Sequence, residues 1–179
     1  EISLDEAYWY GLLLGDGSLT LPNRIELINK DKHIIDFVKT FCNKNNLNLL
    51  IRTRDGTDAV YLRIFSKKYR DELFNFGFEY VKAPEKSIPK NLRMLSKKSL
   101  AMVMRGLFET DGWANLKNKS IGIGSTSLKM INQIHLILLN FGIISKIYIK
   151  PDNRKGTYKT YYTIRISTSF VDLFNKQIG

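Results

Sequence analysis

The sequence predicts an α+β fold made of two copies of one unit, a tandem, pseudo-twofold αββαββα repeat. Three observations carry this. An apolar helical stretch ends on Asp-Gly twice, at Asp16-Gly17 and Asp111-Gly112, with an offset of 111 − 16 = 95. The same order of elements follows each acid, with the next helix displaced by 130 − 34 = 96. Between the copies lies a lysine-rich segment containing Pro84 and Pro89. The boundaries read as 1–78 for the first half, 79–98 for the linker and 99–179 for the second half.

Within the first copy, Tyr10–Gly15 continues an apolar helix, and Arg24–Lys30 alternates as a strand does. His33–Leu47 has apolar residues at Ile34, Ile35, Val38, Phe41 and Cys42, which is helical spacing. Leu49–Ser66 is a pair of strands turning at Asp55-Gly56, a strong hairpin signal. Tyr69–Gly77 closes the unit as a helix. The second copy repeats this with Met130, Ile131, Ile134, Ile137 and Leu138 in its middle helix. Its hairpin turns at Pro151 to Gly156, and its closing helix stops early, at Gly179. The offset between Arg63 and Arg165 is 165 − 63 = 102, so the second hairpin is the longer one.

The chain carries 28 Lys and Arg against 17 Asp and Glu, a net charge of +11 that favours an anionic partner, nucleic acid being the commonest large one. The single cysteine, Cys42, permits no disulfide within the chain, so an intracellular protein is expected. No apolar run approaches the ~20 residues that span a bilayer, and no signal peptide is visible. The chain opens on Glu1 rather than Met, which suggests trimming or processing. Other chemistries lack their residues: His33 and His135 are the only histidines, no Cys or His cluster suits zinc, and no phosphate-binding loop is present.

The two acids pose a problem. A helix C-terminus is the negative end of the macrodipole and disfavours a carboxylate. Gly11 and Gly15 are one turn apart, as are Gly106 and Thr110. Small residues so spaced let two helix backbones approach closely, which would bring Asp16 and Asp111 together. Paired carboxylates repel, and a divalent cation bound by oxygen ligands, Mg²⁺ above all, would compensate. Bound metal between acids suits phosphodiester hydrolysis.

The stretches "WYGLLLGDG" (Trp9–Gly17) and "MRGLFETDG" (Met104–Gly112) resemble the two namesake motifs of the LAGLIDADG homing endonucleases. The order of elements around them agrees, and "KSIPKNL" resembles the family's linker, especially in intein-associated members. The resemblance implies motif helices at the interface between halves and two antiparallel sheets forming a saddle in the DNA major groove. It implies a site-specific double-strand endonuclease acting as a monomer at a long, rare target. Asp16 and Asp111 would be catalytic and would hold Mg²⁺, with the adjacent Gly15 and Thr110 as further metal-site candidates. Mn²⁺ would substitute, and Ca²⁺ would support binding without cutting. Asn29 and Lys30 occupy positions where related enzymes order solvent; the repeat positions are Ser125 and Thr126. Lys86 is a further candidate for a peripheral basic role. The sixth motif position departs from the namesake Asp, being Leu14 in one copy and Glu109 in the other.

Strand alternation puts Arg52 with Arg54, and Tyr61 with Arg63, on shared faces. Their counterparts are Tyr148, Lys150, Thr163 and Arg165. Arginine can take guanine edges bidentately, and a two-stranded ribbon fits the major groove. Arg24, Glu26, Asn115 and Lys117 are further DNA-contact candidates. Arg154 and Lys155, in the second hairpin turn, are expected to meet phosphates rather than bases. Two other readings share this surface: a regulator that binds DNA without cutting, and a maturase that binds its own intron RNA. The host element can be an intron, an intein or a free-standing gene, and the wealth of Lys, Asn and Ile hints at an A·T-rich source such as an organelle or phage.

Overall fold

The computed structural model describes residues 2–53, 55–151 and 160–179. The first half contains α1 (Leu4–Gly15), β1 (Gly17–Ser18), β2 (Ile25–Asn29), α2 (Lys32–Lys44), β3 (Leu49–Thr53), β4 (Val60–Ile64) and α3 (Lys67–Phe76). A 3-10 turn at Ala83–Glu85 and the short α4 (Lys90–Arg93) lead into the second half. There follow α5 (Lys97–Asp111), β5 (Gly112–Asn115), β6 (Ser120–Ser125), α6 (Leu128–Asn140), β7 (Ser145–Pro151), β8 (Thr160–Ile166) and α7 (Val171–Gln177).

Each half is one four-stranded antiparallel sheet, ordered β1-β2-β4-β3 and β5-β6-β8-β7. The α+β class, the repeat and the central motif helices are as the sequence indicates. The two registers correspond: Gly17 pairs with Leu27 and Gly112 with Ile123, so the residue after each acid opens an edge strand of its sheet.

The local chemistry explains the boundaries. Ser3 caps α1, its hydroxyl accepting from the Glu6 amide at 3.1 Å while Glu6 accepts from the Ser3 amide at 2.9 Å. Every residue from Ala7 to Leu14 is buried, so α1 is apolar all round because it is covered all round. Its principal partner is α5. By contrast α2 buries only Ile34, Val38, Phe41 and Cys42, and it meets α1 through Phe37 against Tyr8 and Phe41 against Trp9.

Along the sheets, Ile25, Leu27, Leu62 and Ile64 face the core in the first half, and Ile123, Ile164 and Ile166 in the second. The intervening residues point to the opposite face. The joining segment is itself structured. Ser96 caps α5 through the Ser99 amide at 3.3 Å, so that helix starts at Lys97. Gln133 of α6 accepts from the Ile88 amide at 2.7 Å, which ties the segment to the second half.

Candidate functional site

The two motif helices cross at glycine. A β-carbon on Gly11 would overlap the Val103 carbonyl oxygen and sit 3.0 Å from the Gly106 Cα; one on Gly106 would overlap the Tyr8 carbonyl oxygen. One turn further on, a β-carbon on Gly15 would collide with the Thr110 side chain and lie 3.3 Å from Asp111 Oδ2. The helices therefore end side by side, with Asp16 as the C-cap of α1 and Asp111 as the last residue of α5.

Their surroundings answer the question of an acid at a negative helix end. Lys86 reaches in from the joining segment, and its Nζ donates to the carbonyls of Leu14, Gly15 and Gly17 at 3.1, 2.9 and 3.2 Å. These include carbonyls that a helix terminus leaves without partners. The lysine is held in place from behind, where Ser127 donates to its carbonyl at 2.6 Å. Burial lowers the pKa of this ammonium, while Asp111 and Asp16 push it back up. Asn29, at the end of β2, donates its amide to Asp16 Oδ2 at 2.8 Å. The Asp31 amide donates to the Asn29 side-chain oxygen at 2.8 Å and so fixes its orientation.

Burial raises the pKa of both acids. For Asp16 the rise is opposed by the Asn29 hydrogen bond and then by Lys86. For Asp111 the rise is reinforced by the Asp16 charge and opposed only by Lys86, which leaves it at about 6. Two carboxylates held towards neutrality, beside one ammonium, make a site short of positive charge. Among the described residues no group of three Asp, Glu, His or Cys forms a metal cage. The all-oxygen pair fits a hard divalent cation that retains water and takes further oxygens from a phosphate. The Gly15 carbonyl is shared with Lys86, and the Thr110 hydroxyl is turned back to the Gly106 and Leu107 carbonyls at 3.2 and 3.0 Å.

Lys30 is exposed at the end of β2; the ammonium acting on both acids belongs to Lys86. In the sequence Lys86 is one of several lysines of the joining segment, and only the fold shows how far that segment reaches. Glu109, at the sixth motif position, accepts from Tyr8 Oη across the helix pair and from Arg105 Nε at 2.9 Å. It cross-links α1 to α5 and does not join the acid pair.

The candidate DNA contacts divide between the two sheets. On the first, Arg63 Nε is 2.6 Å from Glu26 and its guanidinium lies over the Tyr61 ring at 4.4 Å, while Arg24 is 3.3 Å from the same Glu26 oxygen. Arg52, opposite Tyr61, is exposed. On the second, Arg165 sits opposite Gly122 and Lys146, with Tyr148, Lys150, Asn115 and Lys117 all exposed. Sequence reasoning missed Lys146, which shares a face with Tyr148 and Lys150. Arg54, Arg154 and Lys155 lie outside the described residues. No helix among the described residues is long and apolar enough to cross a membrane.

Comparison with known proteins bears on this arrangement. The model of the LAGLIDADG-like domain matches residues 98–179, and that of the WhiA LAGLIDADG-like domain matches residues 5–68. Curated relatives from Methanocaldococcus jannaschii include the isomerizing glutamine–fructose-6-phosphate aminotransferase, 30% identical over 94% of this chain, and the probable translation initiation factor IF-2, 30% identical over 89%. The chain spans only 16% and 13% of those proteins. Among solved structures, I-DmoI in complex with DNA and Mn is similar with a TM-score of 0.72 and 20% identity, covering 99% of this chain and 97% of that one. The N-terminal LAGLIDADG domain of DUF199/WhiA is similar with a TM-score of 0.67 and 14% identity, covering 99% and 84%. With both halves matched and the two acids at the paired helix ends, the chain belongs to the LAGLIDADG family, as a single polypeptide carrying two motifs.

Proposed function

We propose that the chain is a site-specific endonuclease that cuts both strands of duplex DNA with Mg²⁺ held by Asp16 and Asp111. The observation that carries this is the pair of half-buried acids at abutting helix ends, left short of positive charge by a single lysine. A regulator that only binds DNA has no use for such a pair. Bound between the acids, a divalent cation would supply charge neutralisation at the scissile phosphate and an activated water. Gly15 and Thr110, the residues preceding the acids, are the further candidates for its oxygens, with the Gly15 carbonyl also accepting from Lys86. Asn29 keeps Asp16 oriented and ionised by donating to Oδ2. Lys86, its three N–H bonds spent on the helix-end carbonyls, lowers the repulsion between the acids. Because one chain supplies both acids, a monomer suffices.

The curated relatives support a carried, rather than free-standing, origin. An aminotransferase, a translation factor and a phage ribonucleotide reductase subunit have nothing in common by name, yet each matches 89% or more of this chain within 18% or less of its own length. An element inserted in host proteins, as an intein is, accounts for that pattern. A second reading, a WhiA-like DNA-binding regulator, draws on the match of residues 5–68.

The deciding experiment incubates the chain with a random duplex library in Mg²⁺ and in Ca²⁺, and sequences cut ends and bound fragments. Staggered cuts at one long site in Mg²⁺, with binding alone in Ca²⁺, carry the endonuclease reading. Specific binding without cutting in either metal selects the regulator, and no specific duplex binding at all selects the maturase.

The ion pairs on the first sheet have a measurable consequence. Glu26 holds Arg63 and Arg24 at 2.6 and 3.3 Å, so those cations are partly neutralised before any phosphate arrives. Glu26→Gln is expected to steepen the dependence of log K on log[salt] by about one to two, the slope each released cation adds being roughly 0.9. Fluorescence anisotropy on random duplex from about 50 to 200 mM salt measures it. An unchanged slope would mean that these arginines do not face phosphate.

A further inference from the structure

The two sheets place matching rows of residues on the face turned away from the core. In the first sheet the row reads Ser18, Glu26, Arg63, Leu50. In the second it reads Trp113, Gly122, Arg165, Lys146. The difference is chemical as well as nominal. Arg63 is pinned to Glu26, whereas Arg165 stands across from a glycine. That glycine is required by its neighbour: a β-carbon on Gly122 would strike the benzo edge of the Trp113 indole, so the ring lies on the sheet. The device is used twice, since a β-carbon on Gly124 would strike the Tyr161 ring. The first sheet has Glu26 and Ile28 at those two positions.

A tryptophan laid on glycine and still 41% exposed is an apolar plate on a polar, cationic face. Burying no core of its own, it offers surface to a ligand. Asp111 stands two residues earlier in the chain, Trp113 is on the edge strand β5, and its row carries Arg165 on β8 and Lys146 on β7. In a major groove the one apolar feature of a base edge is the C5-methyl group of thymine.

Resting on the duplex-DNA reading above, we propose that Trp113, seated on Gly122, is a specificity-determining residue that reads thymine methyl groups in the half-site under the second sheet. Arg165 reads the neighbouring base pair, and the corresponding row of the first sheet, with its arginine bound to Glu26, discriminates less. The asymmetry is built into one chain and predicts a target whose two halves differ in stringency.

The test uses the intact chain and the duplex recovered from the random library in Ca²⁺. Each thymine of that duplex is replaced singly by deoxyuridine, which removes only the methyl group. Binding by the unaltered protein is expected to weaken about fourfold at one or two thymines of one half-site, the value of one buried methyl. Trp113→Ala should bind the all-thymine duplex more weakly and lose that dependence, so that thymine and deoxyuridine become equivalent there. Deoxyuridine tolerated at every position, or a methyl dependence that survives in Trp113→Ala, overturns the inference while leaving the endonuclease reading intact. A recovered site without thymine in either half overturns it equally. Failure to recover any duplex overturns both. The deoxyuridine series on the unaltered protein is independent of how well the variant folds.

Discussion

Replacing Asp111 with asparagine is expected to abolish double-strand cleavage and at the same time to make the protein more stable. The loss of cutting follows from removing one of two carboxylates that hold the cation. Losing several kcal/mol of transition-state charge stabilisation corresponds to a rate at least about 10³-fold lower. The gain in stability follows from the electrostatics of the free protein. Burial and the charge of Asp16 raise the Asp111 carboxyl from 3.8 to about 6. Between those values the folded chain binds a proton that the unfolded chain releases, so stability falls as pH rises through that window and stays lost above it. Asparagine keeps the shape and never ionises. At pH 7.5 without metal the variant should gain about 1–2 kcal/mol, roughly 5 °C in Tm for a chain of this size. At pH 4.5 the difference should shrink towards nothing.

Adding Mg²⁺ should raise the Tm of the unaltered protein and not that of the variant, because only the former binds it. Asp16→Asn should remove cutting just as completely with a smaller gain in Tm, since Asn29 and Lys86 already offset the Asp16 charge. Thermal melts at the two pH values, with and without Mg²⁺, and a plasmid cleavage assay measure all of this. A variant that still cuts both strands, or one no more stable than its parent at pH 7.5, would contradict the account.

Much of the fold was legible because a duplicated sequence repeats its own evidence. One Asp-Gly after an apolar helix says little, but two with matching strands and helices behind them fix the architecture, and the strand order of one half is repeated in the other. Gly11 and Gly106 were legible as contact points because a one-turn spacing of small residues has a steric meaning. What could not be read was anything decided by a segment's path. In one dimension Lys30 is the stronger candidate and Lys86 only a peripheral one. The fold delivers Lys86 to three carbonyls at the helix ends and leaves Lys30 in solvent. The arginines of the two sheets likewise looked alike. Only cross-strand register shows that Arg63 meets Glu26 and that Arg165 meets a glycine under an indole. The sixth motif position was read as a departure, and the structure gives Glu109 a role as the partner of Tyr8 and Arg105 between the helices.

Gly106→Ala should unfold the protein more easily by about 2–4 kcal/mol, against the usual preference of helices for alanine. In an exposed helix that exchange stabilises by roughly 1 kcal/mol. Here the new methyl group would overlap the Tyr8 carbonyl oxygen and lie 2.9 Å from the Leu12 amide nitrogen. Both are main-chain atoms in the middle of α1, so no side chain can rotate away and one helix must move off the other. Separation at this crossing also disturbs the ends, where Gly15 meets Thr110 and Asp111. Cleavage should therefore fall together with the urea midpoint, even at temperatures where the variant is fully folded. Gly106→Val, bulkier still, should not fold. Gly56→Ala supplies the contrast: its position has a φ of +72° and nothing within 4 Å, so it should lose only about 1 kcal/mol from backbone strain and leave cutting unchanged. If Gly106→Ala proved as mild as Gly56→Ala in both urea unfolding and cleavage, the helices would not be in the tight contact on which the pairing of the two acids depends.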